Sequence, residues 1–496
     1  MNQLNKLKIY QAKTAIFLPW SQPFIYRLLD KLKPHIDQIV LTRFHENGDI
    51  FPMPIIELCN KKTFFDPIAA QKKAQQLQAK HQGKLIHAHF GYTAINMMFL
   101  KIFLRVPMIV TFGGKDLSVF AQRPEAHSPF IQLFDLCEKF VAVSDSLKQQ
   151  AIDLGCPEDK IVTIRRGVPT DQFPYKQRST STDKPCNILM VSRLTKKKGH
   201  LFALKALNKL THLDWQLHLV GEGEEYAPII RFAKKNGFAS RLHFHGVLPI
   251  EKVYEQMQKA DILLHPSITG KDGDQEGIPN ALVEAMSTGL PIVGTHHGGI
   301  PEVVIHNQTG FLVQENDQKH LIYALQTLIE NPTQRLALGK AASNYVAQHL
   351  SLDDQVSKYL DLYQSLIEQY PPHTRNCAGT NLSPELPMQL ATIHRSALTS
   401  GDFSIAEVLE SALLAPAKSD VKHPLWFRLY WRIKKIIPFR VKFAIKRMLF
   451  RFFVPFVRKD VFREQSIPFW HEICANNLDG VSAPDTSSSL DPVHHQ

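Results

Sequence analysis

The chain is 496 residues long, 44% hydrophobic and 21% charged. That is too long for one hydrophobic core, and the balance is that of an ordinary globular protein. Its six cysteines, Cys59, Cys137, Cys156, Cys186, Cys377 and Cys474, form no C-x-x-C pair, which argues against a zinc ribbon or a disulfide framework and suits a reducing compartment. The net charge of +12 is local. Thirteen Lys and Arg lie between Lys422 and Arg463 against the single acid Asp460, leaving 45 basic and 45 acidic residues elsewhere.

In chain order, the apolar run at 15–18 is short and broken by Pro19, a poor signal peptide. Short apolar runs at 15–18, 38–41, 85–88, 108–111 and 139–143 predict strands, separated by helical patterns. Such alternation implies a parallel, doubly wound sheet, here a first domain over 1–175. The longest apolar region, 94–112, is interrupted by Lys101, Arg105 and Pro107 and does not suit a bilayer span. A Ser/Thr-rich stretch at 176–184 reads as a linker. A second α/β domain is expected over 185–350, with strands at 187–191, 216–220, 242–244, 261–264 and 291–293. Helices are expected at about 200–210, 224–236, 251–259, 279–288 and 317–330. A last helix at 352–369 is expected within 351–370, followed by a linker at 371–420, a basic segment at 421–465 and a disordered tail at 480–496.

Two stretches carry chemistry. Val191-Ser192-Arg193-Leu194-Thr195-Lys196-Lys197-Lys198-Gly199-His200 joins a strand to a helix, where cations beside a helix N-terminus can neutralise a diphosphate. Lys196 and Lys197 are expected to be solvated. In the second stretch Glu276 and Glu284 stand eight positions apart, with Gly277-Ile278-Pro279-Asn280 between them as a helix entry. Pro279 at the first helical position gives up an N–H that would be unpaired anyway, and the N–H groups after it can hold a diphosphate. Glu276 precedes that helix end and can reach a sugar. Glu284, a lone charge on an apolar helix, can accept two hydrogen bonds from a ribose diol.

The stretch from Asp272 through Glu276, Glu284 and His297-Gly298-Gly299-Ile300-Pro301-Glu302 resembles the E-x7-E region of the family-4 retaining glycosyltransferases. Asp272-Gly273-Asp274-Gln275-Glu276-Gly277-Ile278-Pro279 looks like members that build bacterial surface polysaccharides. The resemblance, which stops near residue 370, implies the GT-B architecture: two Rossmann-like domains facing across a cleft. By the family's R-x4-K pattern it assigns the diphosphate to Arg193 and Lys198, with Glu276 on the donor sugar and Glu284 on ribose. It adds Gly277, Ile278, Pro279 and Asn280 at the donor, Glu222 of Gly221-Glu222-Gly223-Glu224, and Val247 of His245-Gly246-Val247 near the base. Ser21 comes with the loop Pro19-Trp20-Ser21-Gln22-Pro23-Phe24-Ile25, which resembles a loop facing the donor phosphates. His87 and His89, two positions apart at a strand end, share one face and read either as structural histidines or as cleft residues. Relatives commonly carry a histidine at the position of Gly113, which leaves Lys115 and Asp116 as polar candidates there, with Asp116 a catalytic candidate. No metal is expected, since the two cations supply the charge that D-x-D ligands would otherwise recruit. No cofactor is expected either: the nucleotide-sugar, UDP- or GDP-linked, is a substrate.

In the basic segment, Arg428, Arg432 and Lys435 share one helical face while Trp426, Leu429, Tyr430, Ile433, Ile436 and Ile437 cover the other. That is the pattern of a helix lying in a membrane plane over anionic headgroups. With the resemblance it implies a lipid-linked or oligosaccharide acceptor, no nucleic acid, and a peripheral position on the cytoplasmic face of the inner membrane. The sequence therefore reads as a retaining hexosyltransferase for exopolysaccharide, capsule or lipopolysaccharide. A nucleotide-sugar 2-epimerase of the same fold and a non-catalytic assembly scaffold are the alternatives.

Overall fold

The computed structural model describes residues 6–370, apart from 18–22, 46–47, 49–51, 54, 60–62, 65–66, 181–182 and 272. Ser21, Asp272, the 371–420 linker, the basic segment and the tail lie outside the described residues.

Two parallel sheets organise the chain. The first takes strands β1 (Leu7–Phe17), β2 (Ile36–His45), β3 (Ile56–Leu58), β4 (Leu85–His89), β5 (Met108–Phe112), β6 (Lys139–Ala142) and β7 (Ile161–Thr163) in the spatial order β3-β2-β1-β4-β5-β6-β7. The second takes β8 (Cys186–Val191), β9 (Trp215–Val220), β10 (Leu242–Gly246), β11 (Ile262–His265), β12 (Ile292–Thr295) and β13 (Gly310–Val313) in the order β10-β9-β8-β11-β12-β13. Both carry the doubly wound 3-2-1-4-5-6 order, whose crevice lies beyond the carboxyl ends of the strands. Central strands are covered on both faces and are buried throughout rather than alternating: β4 is buried at all five positions and β11 at all four, their histidines included.

The differences from the sequence reading have physical causes. β1 begins eight residues before 15, because its polar residues are paired in the interior. Gln11 donates to Gln38 at 3.3 Å, and Lys13 lies over the rings of Phe90 and Tyr92. β3, β7 and β13 are edge strands of three or four residues, too short for a periodic signal. The helix Pro332–His349 has no sequence signal of its own because small residues replace the apolar stripe. Gly339 lies so close to the loop before β12 that a Cβ there would stand 2.0 Å from the Gly289 carbonyl. Its Arg335 is buried and donates to the carbonyls of Leu328 and Ile329 at the end of the preceding helix, satisfying groups that a helix terminus leaves orphaned. The start of the 176–184 linker is fastened to the second domain, with Arg178 donating to the carbonyls of Met257, Ala260 and Thr288.

The helix Leu352–Gln369, capped by the Ser351 hydroxyl, returns to the first domain. Val356, Tyr359, Tyr363 and Leu366 pack with Ile9, Val40, Leu85 and Val141. The Tyr363 hydroxyl meets His87 Nδ1 at 2.7 Å, and the Tyr359 hydroxyl meets Thr111 at 2.9 Å. Both phenols are buried, so an orphaned partner carries its full desolvation cost. Tyr363→Phe is therefore expected to lower unfolding free energy by about 1–3 kcal/mol, read as a reduced urea midpoint at unchanged slope.

Candidate active site

The carboxyl ends of the second sheet converge on Glu276. Glu276 sits on the loop between β11 and the helix Asn280–Ser287, its side chain 13% exposed. Lys198 reaches its carboxylate at 2.7 Å, with Lys197 at 3.5 Å and also 2.9 Å from Asp274. Burial alone would push the Glu276 carboxyl up, but Lys198 and Lys197 hold it well below the usual carboxylate range. For Lys198 burial wins, and its ammonium pKa is lowered despite Glu276. Lys197 is thus a half-buried ion-pair partner, contrary to the solvated role expected of it, because the fold places Asp274 and Glu276 beside it. Lys196 is exposed.

Local backbone geometry delivers these groups. Gly199 ends the three-lysine turn in the left-handed region at φ 68°, where a Cβ would stand 1.9 Å from the Pro266 carbonyl. Only glycine fits there. Gly298 adopts φ 51° with its Cα against the Glu276 backbone, a Cβ there falling 2.1 Å from the Glu276 carbonyl. The Glu276 N–H donates to His297 Nε2 at 3.1 Å, while His297 Nδ1 meets Glu315 at 2.6 Å. Glu315 also accepts from the Thr269 N–H and hydroxyl. The carboxylate fixes the imidazole tautomer, and the imidazole fixes Glu276.

Pro279 is the N-cap of its helix rather than the first helical residue, so Asn280 is the first. The cap makes no side-chain hydrogen bond, and the N–H groups of the first turn point out of the helix beside the buried Gly277 and Ile278. Arg193 is exposed, close enough to depress Lys198 further. Glu222 is exposed, its carbonyl accepting from the Leu194 N–H, and Val247 is 62% exposed just beyond Gly246.

The first domain meets this site closely. A Cβ on Gly114 would lie 3.5 Å from the Gly277 nitrogen, and one on Gly277 would lie 3.3 Å from the Gly113 carbonyl. The Ser118 hydroxyl accepts from the Gln275 N–H at 3.4 Å. Glu302 accepts from the N–H groups of Asp145 and Ser146 and from Arg165. Arg27 donates to Glu284 at 2.5 Å. Asp116 is 1% exposed, and its carboxylate accepts from the N–H groups of Gly91, Gly113 and Gly114. It thereby shapes the loop after β5. His87 is tied into Tyr363 and Thr111, whereas His89 lines a pocket at the strand ends. Among the described residues no three side chains are gathered as metal ligands, and no helix is long and apolar enough to cross a membrane.

Residues 21–172 match the model of Glycosyltransferase Family 4, and residues 171–345 match that of Glycosyl transferases group 1. The amylovoran biosynthesis glycosyltransferase AmsK of Erwinia amylovora is 34% identical over 293 residues, 58% of this chain and 67% of that protein. The chain belongs to the group 1 glycosyltransferases. The putative colanic acid biosynthesis glycosyltransferase WcaL of Escherichia coli is 32% identical over 268 residues, 53% of this chain and 65% of that protein. Matches thus cover about two thirds of these relatives' length. Two solved structures share the GT-B fold. One is a glycosyltransferase from Rickettsia africae (TM-score 0.63, 21% identity, covering 74% of this chain and all of that one). The other is Anabaena HepE in complex with UDP and glucose (TM-score 0.61, 17% identity, 73% of this chain and all of that one).

The paired glutamates are visible as a spacing in the sequence, whereas the choice of Arg193 and Lys198 rests on the family resemblance. The sequence shows His297 only as part of a turn, and it carries no signal for Glu315 or Arg27, nor for the ion pairing of Lys197. Nothing local marks them, since each acquires its role from a partner distant in sequence.

Lys13 supplies a test of the electrostatics beneath the site. It is fully enclosed, and burial lowers its ammonium to about 7 from the 10.5 of an exposed lysine, against the attraction of Asp116. The folded state therefore binds fewer protons than the unfolded chain between those values, so the penalty is full below about pH 7 and fades as pH rises to 10.5. Lys13→Met is expected to raise the urea midpoint most at pH 6, with the gain shrinking toward pH 10.

Proposed function

We propose that this chain is a nucleotide-sugar-dependent, retaining glycosyltransferase that extends a glycan of a bacterial surface polysaccharide. The observation that carries the reading is the Glu276–Lys198 pair at 2.7 Å beside the open N-terminus of the helix Asn280–Ser287. Relatives named for amylovoran and colanic acid biosynthesis, and the fold shared with a protein solved with UDP and glucose, support it.

In this reading the diphosphate of the donor lies against the N–H groups after Pro279, with Arg193 and Lys198 on its oxygens. When the bond from the sugar anomeric carbon to the β-phosphate oxygen breaks, the charge that develops there is already faced by cations and a helix dipole. Glu276 accepts from hydroxyls of the sugar, its backbone held by His297 so that the carboxylate direction is fixed before substrate arrives. Glu284 accepts from the ribose diol, which must displace Arg27 from that carboxylate. An acceptor hydroxyl then attacks from the face the diphosphate leaves, and its proton passes to the departing phosphate oxygen. Configuration is retained, and a nucleoside diphosphate is released. No protein nucleophile is required. A lipid-linked acceptor and docking through 421–465 belong to the same proposal, resting on the charge pattern of that segment.

Three outcomes are expected. Glu276→Gln and Lys198→Ala each lower kcat by about 10²–10³-fold with circular dichroism unchanged, following the loss of one well-placed electrostatic contact; near-normal kcat in either would remove the assignment. Saturation-transfer NMR with UDP- and GDP-sugars should show selective binding that Glu284→Ala abolishes, and an unselective panel would sink the donor site. Transfer should persist in excess chelator, whereas loss restored by manganese would show that the cations do not suffice.

A further inference from the structure

The side-chain space at Gly113, at the carboxyl end of β5, is already occupied. A Cβ there would fall 2.5 Å from the Phe90 ring and 2.9 Å from Arg166 Nη2. Arg166 comes from the loop after β7 and lies over the face of Phe24, 4.0 Å from its centroid. With Phe24, Phe90, His89, Gly113 and Tyr359 it lines a pocket at the ends of β4 and β5, the side of the sheet where open α/β folds take ligands. The pocket adjoins the Gly113–Gly277 contact and so borders the point where Glu276 holds a sugar.

The guanidinium is under-committed. Of its five N–H groups, one makes a single long hydrogen bond, 3.5 Å to the Gly113 carbonyl. The carboxylates whose fields it feels are engaged elsewhere: Asp116 by three backbone N–H groups, and Glu276 by Lys198 and Lys197. Burial brings its pKa down to about 10, which leaves it charged at neutral pH. His89 beside it is kept neutral, its pKa pushed to about 3 by burial and by Lys13 and Arg166. No carboxylate lines the pocket. A planar, charged fork facing such a space suits a carboxylate, which it can grip with two parallel hydrogen bonds.

Building on the sugar-transfer reading above, we propose that Arg166 binds the carboxylate of an acidic sugar at the transfer point. That carboxylate belongs either to the transferred sugar or to the sugar that accepts it. Arg166 is then a specificity residue, and Gly113 is its complement, because any side chain at 113 would expel the guanidinium. A purely structural cation balancing Asp116 would make no distinction between neutral and acidic ligands.

The test uses the full chain and titrates matched pairs by saturation-transfer NMR. UDP-glucose against UDP-glucuronate and GDP-mannose against GDP-mannuronate probe the donor. Methyl glucoside against methyl glucuronide, with nucleoside diphosphate present, probes the acceptor. In one set the acidic member should bind about 10- to 100-fold more tightly, the size of a charge-assisted hydrogen bond, and Arg166→Gln should abolish that preference. A preference in the donor pairs places the carboxylate on the transferred sugar, and one in the acceptor pair places it on the acceptor. Equal binding within every pair, or a preference that survives Arg166→Gln, overturns the proposal while UDP or GDP still binds. Failure of both nucleotides to bind would overturn the donor site itself, and the proposal with it.

Discussion

A carboxylate cannot be enclosed as far as that of Glu276 unless cations are enclosed with it, because an uncompensated buried charge costs several kcal/mol. That constraint organises the second domain's strand ends. Lys198 and Lys197 approach Glu276 because the three-lysine turn closes on Gly199, and Gly199 can close only in the left-handed region against the Pro266 carbonyl. Gly298 lets the 297–302 turn press on the Glu276 backbone from the other side, so that His297 receives its N–H. The carboxylate, its counter-ions and its backbone are thereby fixed by three loops from three strands, which is the preorganisation that electrostatic catalysis needs.

The same loops are also where the two Rossmann-like units touch. Glu302 caps the first turn of the helix Asp145–Asp153 and draws in Arg165, a charge placed where the helix dipole favours it. Arg27 holds Glu284, a carboxylate assigned by proposal to the donor ribose. Donor binding on this reading exchanges an internal ion pair for ribose hydrogen bonds, so affinity is set by the difference between the two rather than by the ribose contacts alone.

The first domain contributes through its loop after β5. Asp116 folds that loop by accepting three N–H groups, and the loop carries Gly113, whose missing side chain admits Arg166 and Phe90. Glycine at 113 is therefore no gap in the structure. The volume is filled by a cation delivered from the next loop but one.

How far this was legible in the sequence follows from the range of the forces involved. The sheet strands other than β3, β7 and β13, the helix at 352–369 and the spacing of Glu276 and Glu284 came from local information, while Arg193 and Lys198 were singled out by the family resemblance. Apolar runs of strand length, a proline before a helix and fixed spacings in one loop all act within about ten residues. Tertiary structure alone decided which charges pair. Lys197 is solvated or ion-paired according to where Asp274 falls, Asp116 is enclosed where the distant Gly91 N–H joins those of Gly113 and Gly114 from its own loop, and Arg166 reaches Gly113 only because β5 and β7 flank β6. Burial turns these residues from surface charges into a site, and burial is a property of the folded sheet order rather than of any stretch of the chain.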